Sequence, residues 1–64
     1  MKYYIVPAAL ADILSLRDCR YGTEEDGFLC NIGDLACYGL ERAVSEGARE
    51  ITHAEAKLFV KQHK

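Results

Sequence analysis

The chain has no tryptophan, a single proline and no apolar run approaching the roughly 20 residues that a membrane-spanning helix needs. We therefore predict no transmembrane helix. The chain also lacks an excess of positive charge, because eight Lys and Arg against ten Asp and Glu give a formal net charge of -2. Proteins that mainly bind nucleic-acid phosphates usually carry such an excess, so the composition disfavours that class.

The chain is also too short for a large hydrophobic core, since it has only 64 residues. This length excludes a multidomain enzyme, a TIM barrel or a Rossmann domain and predicts one domain over residues 1–64. Apolar burial then returns about 95 kcal/mol, against about 96 kcal/mol for ordering the chain. Because the two cancel, we expect further stabilisation from a partner, a metal, a disulfide or self-association.

The number of cysteines is odd, with Cys19, Cys30 and Cys37. Small secreted domains usually carry paired cysteines, so an odd number favours the reducing cytoplasm. The apolar residues 3–11 imitate a secretory signal, but the run is short and contains Pro7. We therefore predict a cytoplasmic protein.

The first third of the chain predicts a strand and then a short helix. Residues 2–6 are aromatic and β-branched and end at Pro7, as a short strand does. Pro7 suits the first position of a helix, and the helical spacing of Leu10, Ile13 and Leu14 extends that helix over residues 8–14. We expect the strand to form an edge of the sheet.

The next segment predicts a β-hairpin. Two apolar stretches, residues 16–21 and 28–32, flank a polar loop that has a glycine at each end. Pairing Tyr21 with Phe28 places Arg20 opposite Leu29 and Cys19 opposite Cys30. The side chains expected to face the core are Cys19, Tyr21, Phe28, Cys30 and Ile32.

Helical spacing dominates the second half of the chain. Asp34 is the predicted N-cap of a helix that ends at Gly47 and is weakened in the middle by Gly39. Thr52 and Glu55 have the spacing of a capping box, with Ile51 as the apolar residue before it. The apolar stripe of that last helix consists of Ala56, Phe59, Val60 and His63.

These elements predict an α+β fold in which a small antiparallel sheet, made of the N-terminal strand and the hairpin, is covered by two C-terminal helices. The glycine spacing matches no phosphate-binding loop. If Gly27 takes the invariant glycine position of an EF-hand loop, Gly22 and Gly33 fall where carboxylate ligands are required. We therefore interpret the acidic turn at residues 24–27 as a solvated loop.

Metal and catalytic chemistry have candidate residues but no recognisable spacing. The possible ligands Cys19, Cys30, Cys37, His53 and His63 include no C-x₂-C pair, so we interpret the cysteines as structural, with zinc or a Cys19–Cys30 disulfide as alternatives. Cys37 lies near a helix start, but no signature of a catalytic cysteine surrounds it. We expect no enzymatic activity, no catalytic residue, no metal and no cofactor.

The remaining function classes are binding functions. We predict a non-catalytic protein-interaction or self-assembly module, whose partner is a second copy or another protein. The apolar residues expected at that interface are Tyr3, Tyr4, Tyr38 and Leu58. One alternative is a metal-binding mini-domain that uses the cysteines and histidines. The other is a small nucleic-acid-binding accessory protein, in which the last two helices form a helix-turn-helix. Its candidate groove-reading residues are Lys57, Lys61, Gln62 and Lys64.

Overall fold

A computed structural model describes residues 2–16 and 21–63 and shows the expected α+β fold. Its elements are β1 (Tyr3–Val6), α1 (Ala8–Ile13), β2 (Gly22–Thr23), β3 (Gly27–Asn31), α2 (Ile32–Leu35), α3 (Leu40–Ser45), β4 (Arg49–Ile51) and α4 (His53–Gln62). The four strands form one sheet in the order β2-β3-β1-β4, and all neighbouring strands are antiparallel. β4 extends the sheet beyond the predicted strand and hairpin.

β1 lies inside the sheet, so the prediction that it forms an edge is wrong. Tyr3 pairs with Asn31 on one side and with Ile51 on the other. The continuous apolar run of β1 is typical of a strand that is covered on both faces, and both faces of this sheet carry helices. The edges of the described sheet are β2 and β4.

The two faces of the sheet carry separate apolar clusters. Strand residues on what we call the three-helix face pack against α1, α2 and α3, and those on the α4 face pack against α4. The three-helix cluster contains Tyr4, Val6, Leu10, Ala11, Leu16, Phe28, Cys30, Leu35, Ala43 and Ala48. The α4 cluster contains Ile5, Leu29, Ile51 and Ala56, with Tyr3, Phe59 and Val60 packed around it. The last two helices, which were predicted to cover the sheet, therefore lie on opposite faces of it.

α1 agrees with the predicted helix apart from its ends. Pro7 is the N-cap residue, with φ -63° and ψ 156°, so it precedes the helix instead of occupying its first turn. The helix ends in a Schellman motif, in which Leu16 N–H donates to the Ala11 carbonyl and Ser15 N–H to the Asp12 carbonyl. Ser15 adopts the left-handed conformation that this motif requires, with φ 58°.

The hairpin register differs by one residue from the prediction. Gly22, and not Tyr21, lies opposite Phe28, because Thr23 and Gly27 continue the ladder and leave a three-residue turn. Gly27, the ladder residue that follows this turn, has φ 87°, a conformation that favours glycine. A Cβ at Gly27 would lie 2.7 Å from the Val6 carbonyl oxygen, so glycine is also required by space.

Two side chains that were expected to face the core are exposed. Tyr21 is 45% exposed, and Ile32 begins α2 and is 38% exposed, while Phe28 and Cys30 are buried as expected. The predicted Cys19–Cys30 and Arg20–Leu29 neighbours involve residues outside the described ranges.

The helix predicted from Asp34 to Gly47 is two helices. Asn31 is the N-cap of α2, and Asp34 closes the capping box from the third helical position, with hydrogen bonds of 3.1 Å and 3.0 Å. Gly39 has φ 101°, which a helix interior excludes, and it caps α3 instead. The predicted stop at Gly47 is confirmed by its φ of 114° and by the hydrogen bond from Ala48 N–H to the Ala43 carbonyl.

The capping box of the last helix is also confirmed. Glu55 N–H donates to Thr52 Oγ1 at 3.1 Å, and Thr52 N–H donates to Glu55 Oε1 at 3.1 Å. Ile51 and Ala56 lie in one buried cluster, as the hydrophobic staple predicts. Because Thr52 alone separates β4 from α4, the helix must start directly at the sheet edge.

Candidate interaction groove

A groove runs along the α4 face beside the β4 edge. It arises because α4 packs against β3, on the far side of β1 from β4, and so leaves the β4 side of this face less covered. The groove has a volume of about 170 Å³. Its lining consists of Ile5, Arg49, Ile51, Glu55, Leu58, Phe59 and Gln62.

The groove combines an apolar floor with a polar and partly apolar rim. Ile5 and Ile51 are buried in the α4 cluster and form its floor. Leu58 lines the groove although 55% of its surface is exposed, which is a large fraction for a leucine. The groove therefore presents apolar surface to solvent at a place where α4 and β4 diverge.

The two charged side chains at the groove differ in the hydrogen bonds and ion pairs that they form. The Glu55 carboxylate accepts the hydrogen bond from Thr52 N–H that closes the capping box. Arg49 forms no ion pair or hydrogen bond with any other described side chain. Arg49 lies opposite Ile5 in the ladder and therefore projects from the α4 face. The groove thus has a cationic end that the described residues leave unneutralised.

β4 has a free edge. Within the described sheet its only neighbour is β1, so half of its backbone hydrogen-bonding groups point away from the sheet. Glu50 projects from the opposite face to Arg49 and lies 3.8 Å from the Lys2 ammonium. The strand is short and carries two charges, features that commonly protect edges from unspecific pairing.

The predicted interface residues lie in three different places. Tyr4 is only 3% exposed, which corrects its assignment to an interface. Tyr3 is half-buried on the α4 face, with its ring 5.5 Å from that of His53. Leu58 lines the groove, and Tyr38 packs on the three-helix face. Both tyrosines of β1 are covered because both sheet faces carry helices.

Tyr38 joins a polar network on α3. Its hydroxyl donates to the Glu46 carboxylate at 2.6 Å, and the Arg42 guanidinium lies 4.4 Å from its ring centroid. This hydrogen bond is the main reason that the pKa of Tyr38 is raised and the pKa of Glu46 is lowered. The network ties Tyr38 to α3 and lies away from the groove.

His63 connects the end of α4 to the hairpin turn. Its Nδ1 lies 2.9 Å from the Phe59 carbonyl oxygen and its Nε2 lies 2.9 Å from Asp26 Oδ2. Because both partners are acceptors, the ring makes both hydrogen bonds at once only in its imidazolium form, in which both nitrogens donate. The hydrogen bond to Asp26 is the main cause that raises the pKa of His63. The ring also stacks on Phe59, at a centroid distance of 4.0 Å.

The candidate metal ligands do not converge in the described part of the chain. Cys30 is buried on the three-helix face, Cys37 is exposed between α2 and α3, and the two histidines belong to α4 or its C-cap. Within residues 2–16 and 21–63, no three His, Cys, Asp or Glu side chains form a cluster able to hold a metal ion. Cys19 lies outside these ranges.

The last two helices do not have the arrangement of a helix-turn-helix. That motif packs its two helices together across a short turn. Here β4 separates them, with α3 on the three-helix face and α4 on the opposite face. Lys57, Lys61 and Gln62 are exposed on α4, and Lys64 lies outside the described residues. α3 therefore does not support α4 as it would in that motif.

Of the residues that line the groove, the sequence pattern singled out Leu58 but not Arg49, and it did not predict β4. Residues 48–52 read as a loop because three strand residues are too few to show an alternating pattern. The only local signal was the pair Ile51 and Thr52, whose branched side chains favour extended backbone. An edge strand is defined by its neighbour β1, which a local pattern does not reveal.

Comparison with protein-family models, curated proteins and solved structures finds no match for this chain. None of the helices in the described part of the chain combines the length and apolar character needed to cross a bilayer.

Proposed function

We propose that this protein is a non-catalytic protein-interaction module and that the groove between β4 and α4 is its binding surface. The observation that carries the proposal is Leu58, which is 55% exposed beside a buried floor of Ile5 and Ile51. Exposed apolar surface that adjoins a concave, polar-rimmed site is typical of protein-binding sites. A partner side chain that enters the groove removes this surface from water.

The residues that line the groove suit binding better than catalysis. They include no cysteine, serine, threonine, histidine or lysine, and the one carboxylate, Glu55, already caps α4. Arg49 and Gln62 provide hydrogen-bond donors at the rim. Such a surface recognises and orients a partner but holds no nucleophile beside a base.

We also propose that the protein acts in the reducing cytoplasm. The number of cysteines in the whole sequence is odd, and in the described part of the chain Cys37 is exposed and forms no disulfide. Both features support a reducing compartment. Fractionation of cells that express the tagged chain tests this location, and recovery in the secreted fraction would contradict it.

A random-peptide display library, selected on the immobilised chain, tests the binding function. Leu58→Lys places a charge at the groove, and Val44→Lys is the matched control because Val44 is an equally apolar helix residue that is 51% exposed on α3. We expect selected peptides to bind the wild-type chain and Val44→Lys equally. We expect Leu58→Lys to weaken binding at least about tenfold.

Circular dichroism and thermal melting must first show that both variants fold as the wild-type chain does. Peptides that bind Leu58→Lys as tightly as the wild-type chain would place the binding surface elsewhere and contradict the proposal. A selection that enriches no binding peptide would contradict it as well.

A further inference from the structure

We infer that the partner enters the groove as an extended segment that adds a strand to β4, with an acidic side chain against Arg49 and an apolar side chain two residues away in the groove. This inference rests on the proposed function and identifies the kind of partner. Its basis is the juxtaposition of a free strand edge, an unneutralised guanidinium and an apolar groove on one face.

The backbone of β4 provides the first part of the recognition. An edge strand offers alternate N–H and C=O groups to a further strand, and peptides commonly bind sheets in this way. β4 is held in an extended conformation by its pairing with β1, so a segment that adds to it meets a prearranged edge. Main-chain hydrogen bonds then supply affinity that does not depend on the sequence of the segment.

The side chains of β4 provide the selectivity. Arg49 and Ile51 lie opposite Ile5 and Tyr3, so both project from the α4 face and are separated by one residue. The two positions are about 7 Å apart along the strand. A segment beside β4 has the same spacing on its own α4 face. The complementary pattern is therefore an acidic and an apolar residue with one residue between them.

A second copy of the chain does not satisfy this pattern. When two antiparallel strands are related by a two-fold axis perpendicular to the sheet, both copies present the same sheet face to the same side. Residues opposite each other then have sequence numbers that are equal or differ by an even number. Full overlap of two β4 strands then places Glu50 opposite Glu50 of the other copy, and the neighbouring register places Arg49 opposite Arg49. The neighbouring register on the other side is centred on Ile51 and would place Arg49 opposite His53, the first residue of α4.

Like charges opposite each other destabilise an antiparallel pair. The charges that protect β4 from a second copy therefore also select a partner of complementary charge. These like-charge contacts therefore favour a segment of another protein over a second copy as the occupant. Two copies cannot pair through β1, because β1 has a neighbouring strand on both sides.

The probe is a short synthetic peptide in which glutamate and valine alternate on one face, with threonine between them, titrated into the isotope-labelled full chain and followed by NMR. A second peptide has lysine in place of glutamate, and a third repeats the first with N-methylated peptide bonds. We expect the glutamate peptide to shift the amides of residues 49–51 and of the groove. We expect it to bind about fivefold to tenfold more tightly than the lysine peptide.

Charge reversal tests the role of Arg49. Arg49→Glu should invert the preference, so that the lysine peptide binds more tightly than the glutamate peptide. Lys57→Glu is the matched control, because it makes the same charge change at an exposed α4 residue outside the groove lining. We expect Lys57→Glu to retain the preference for glutamate. The N-methylated peptide should not bind either variant or the wild-type chain.

Several outcomes would overturn the inference. An unchanged preference in Arg49→Glu would show that no acidic side chain of the partner contacts Arg49. Tight binding of the N-methylated peptide would show that the partner does not add a strand to β4. Light scattering that shows a dimer, with the same amides shifting as the chain is concentrated, would identify a second copy as the occupant. If library-selected peptides occupy the groove as helices, this inference fails while the proposed function stands; if no peptide moves the groove amides, both fail.

Discussion

The two faces of the sheet are covered in different ways. On the three-helix face, three short helices and their turns bury Val6, Cys30 and Leu35 almost completely. On the other face a single ten-residue helix lies toward β3 and leaves a groove beside β4. One face of this small sheet is therefore closely packed, while the other face leaves apolar surface exposed to solvent.

The largest effect is expected when the same substitution, leucine to alanine, is made on each face of the sheet and the losses of stability are compared. Leu35→Ala removes a side chain that has no exposed surface, so we expect a loss of about 3 kcal/mol in the free energy of unfolding. Leu58→Ala removes one that is 55% exposed, and we expect a change within about 0.5 kcal/mol. Urea denaturation followed by circular dichroism measures both.

A loss of this size is a large share of the stability of a domain this small. If Leu35→Ala does not fold, Leu35→Met preserves the volume, and its expected cost is below about 1.5 kcal/mol. Equal losses in Leu35→Ala and Leu58→Ala would show that the two faces are packed alike and would contradict the comparison.

The capping boxes provide the next test, because each face has one. Thr52→Ala removes the hydroxyl that accepts from Glu55 N–H, and Asn31→Ala removes the amide oxygen that accepts from Asp34 N–H. We expect each to cost about 1 kcal/mol in urea denaturation. An unchanged midpoint for Thr52→Ala would mean that α4 does not begin at this cap.

A smaller effect of opposite sign is expected at the end of α1. Ser15 has φ 58°, a conformation that glycine adopts without strain. Ser15→Gly should therefore raise the free energy of unfolding by about 0.5 kcal/mol. Gly39→Ala is the reverse change at φ 101° with ordinary space around the new Cβ, and it should lower stability. A loss of stability in Ser15→Gly would contradict the assigned Schellman motif.

The smallest effect concerns the link between α4 and the hairpin turn. The raised pKa of His63 means that the folded state binds its proton more tightly than the unfolded state. This stabilisation is complete below about pH 6.5, the ordinary histidine pKa, and is lost as the pH rises through the raised value. We expect the melting temperature to fall slightly across that range and His63→Gln to remove this part of the fall.

Asp26→Asn is the matched control for the histidine, since it keeps the shape of the acceptor and removes its charge. It should bring the pKa of His63 closer to the ordinary value, which an NMR titration of the ring measures. A pKa of His63 at or below the ordinary value in the wild-type chain would contradict the double-donor geometry.

Local sequence determined the features that depend on neighbouring residues. β1, the presence of α1, the Gly47 stop and the Thr52 capping box were all predicted, because each is a short-range pattern of side-chain shape or hydrogen bonding. The break at Gly39 was underestimated, since glycine lowers helix propensity without showing that the backbone leaves the helix there. The α+β class followed from these local elements.

Only the tertiary structure decided which strands are neighbours and which faces are covered. The central position of β1, the existence of β4 and the opposite placement of α3 and α4 depend on contacts between residues far apart in the chain. The candidate groove depends on them as well, because Leu58 and Arg49 become neighbours of one cavity only when α4 packs back on the sheet. Local patterns state how apolar a segment is, but packing selects which apolar surface is buried and which is left exposed.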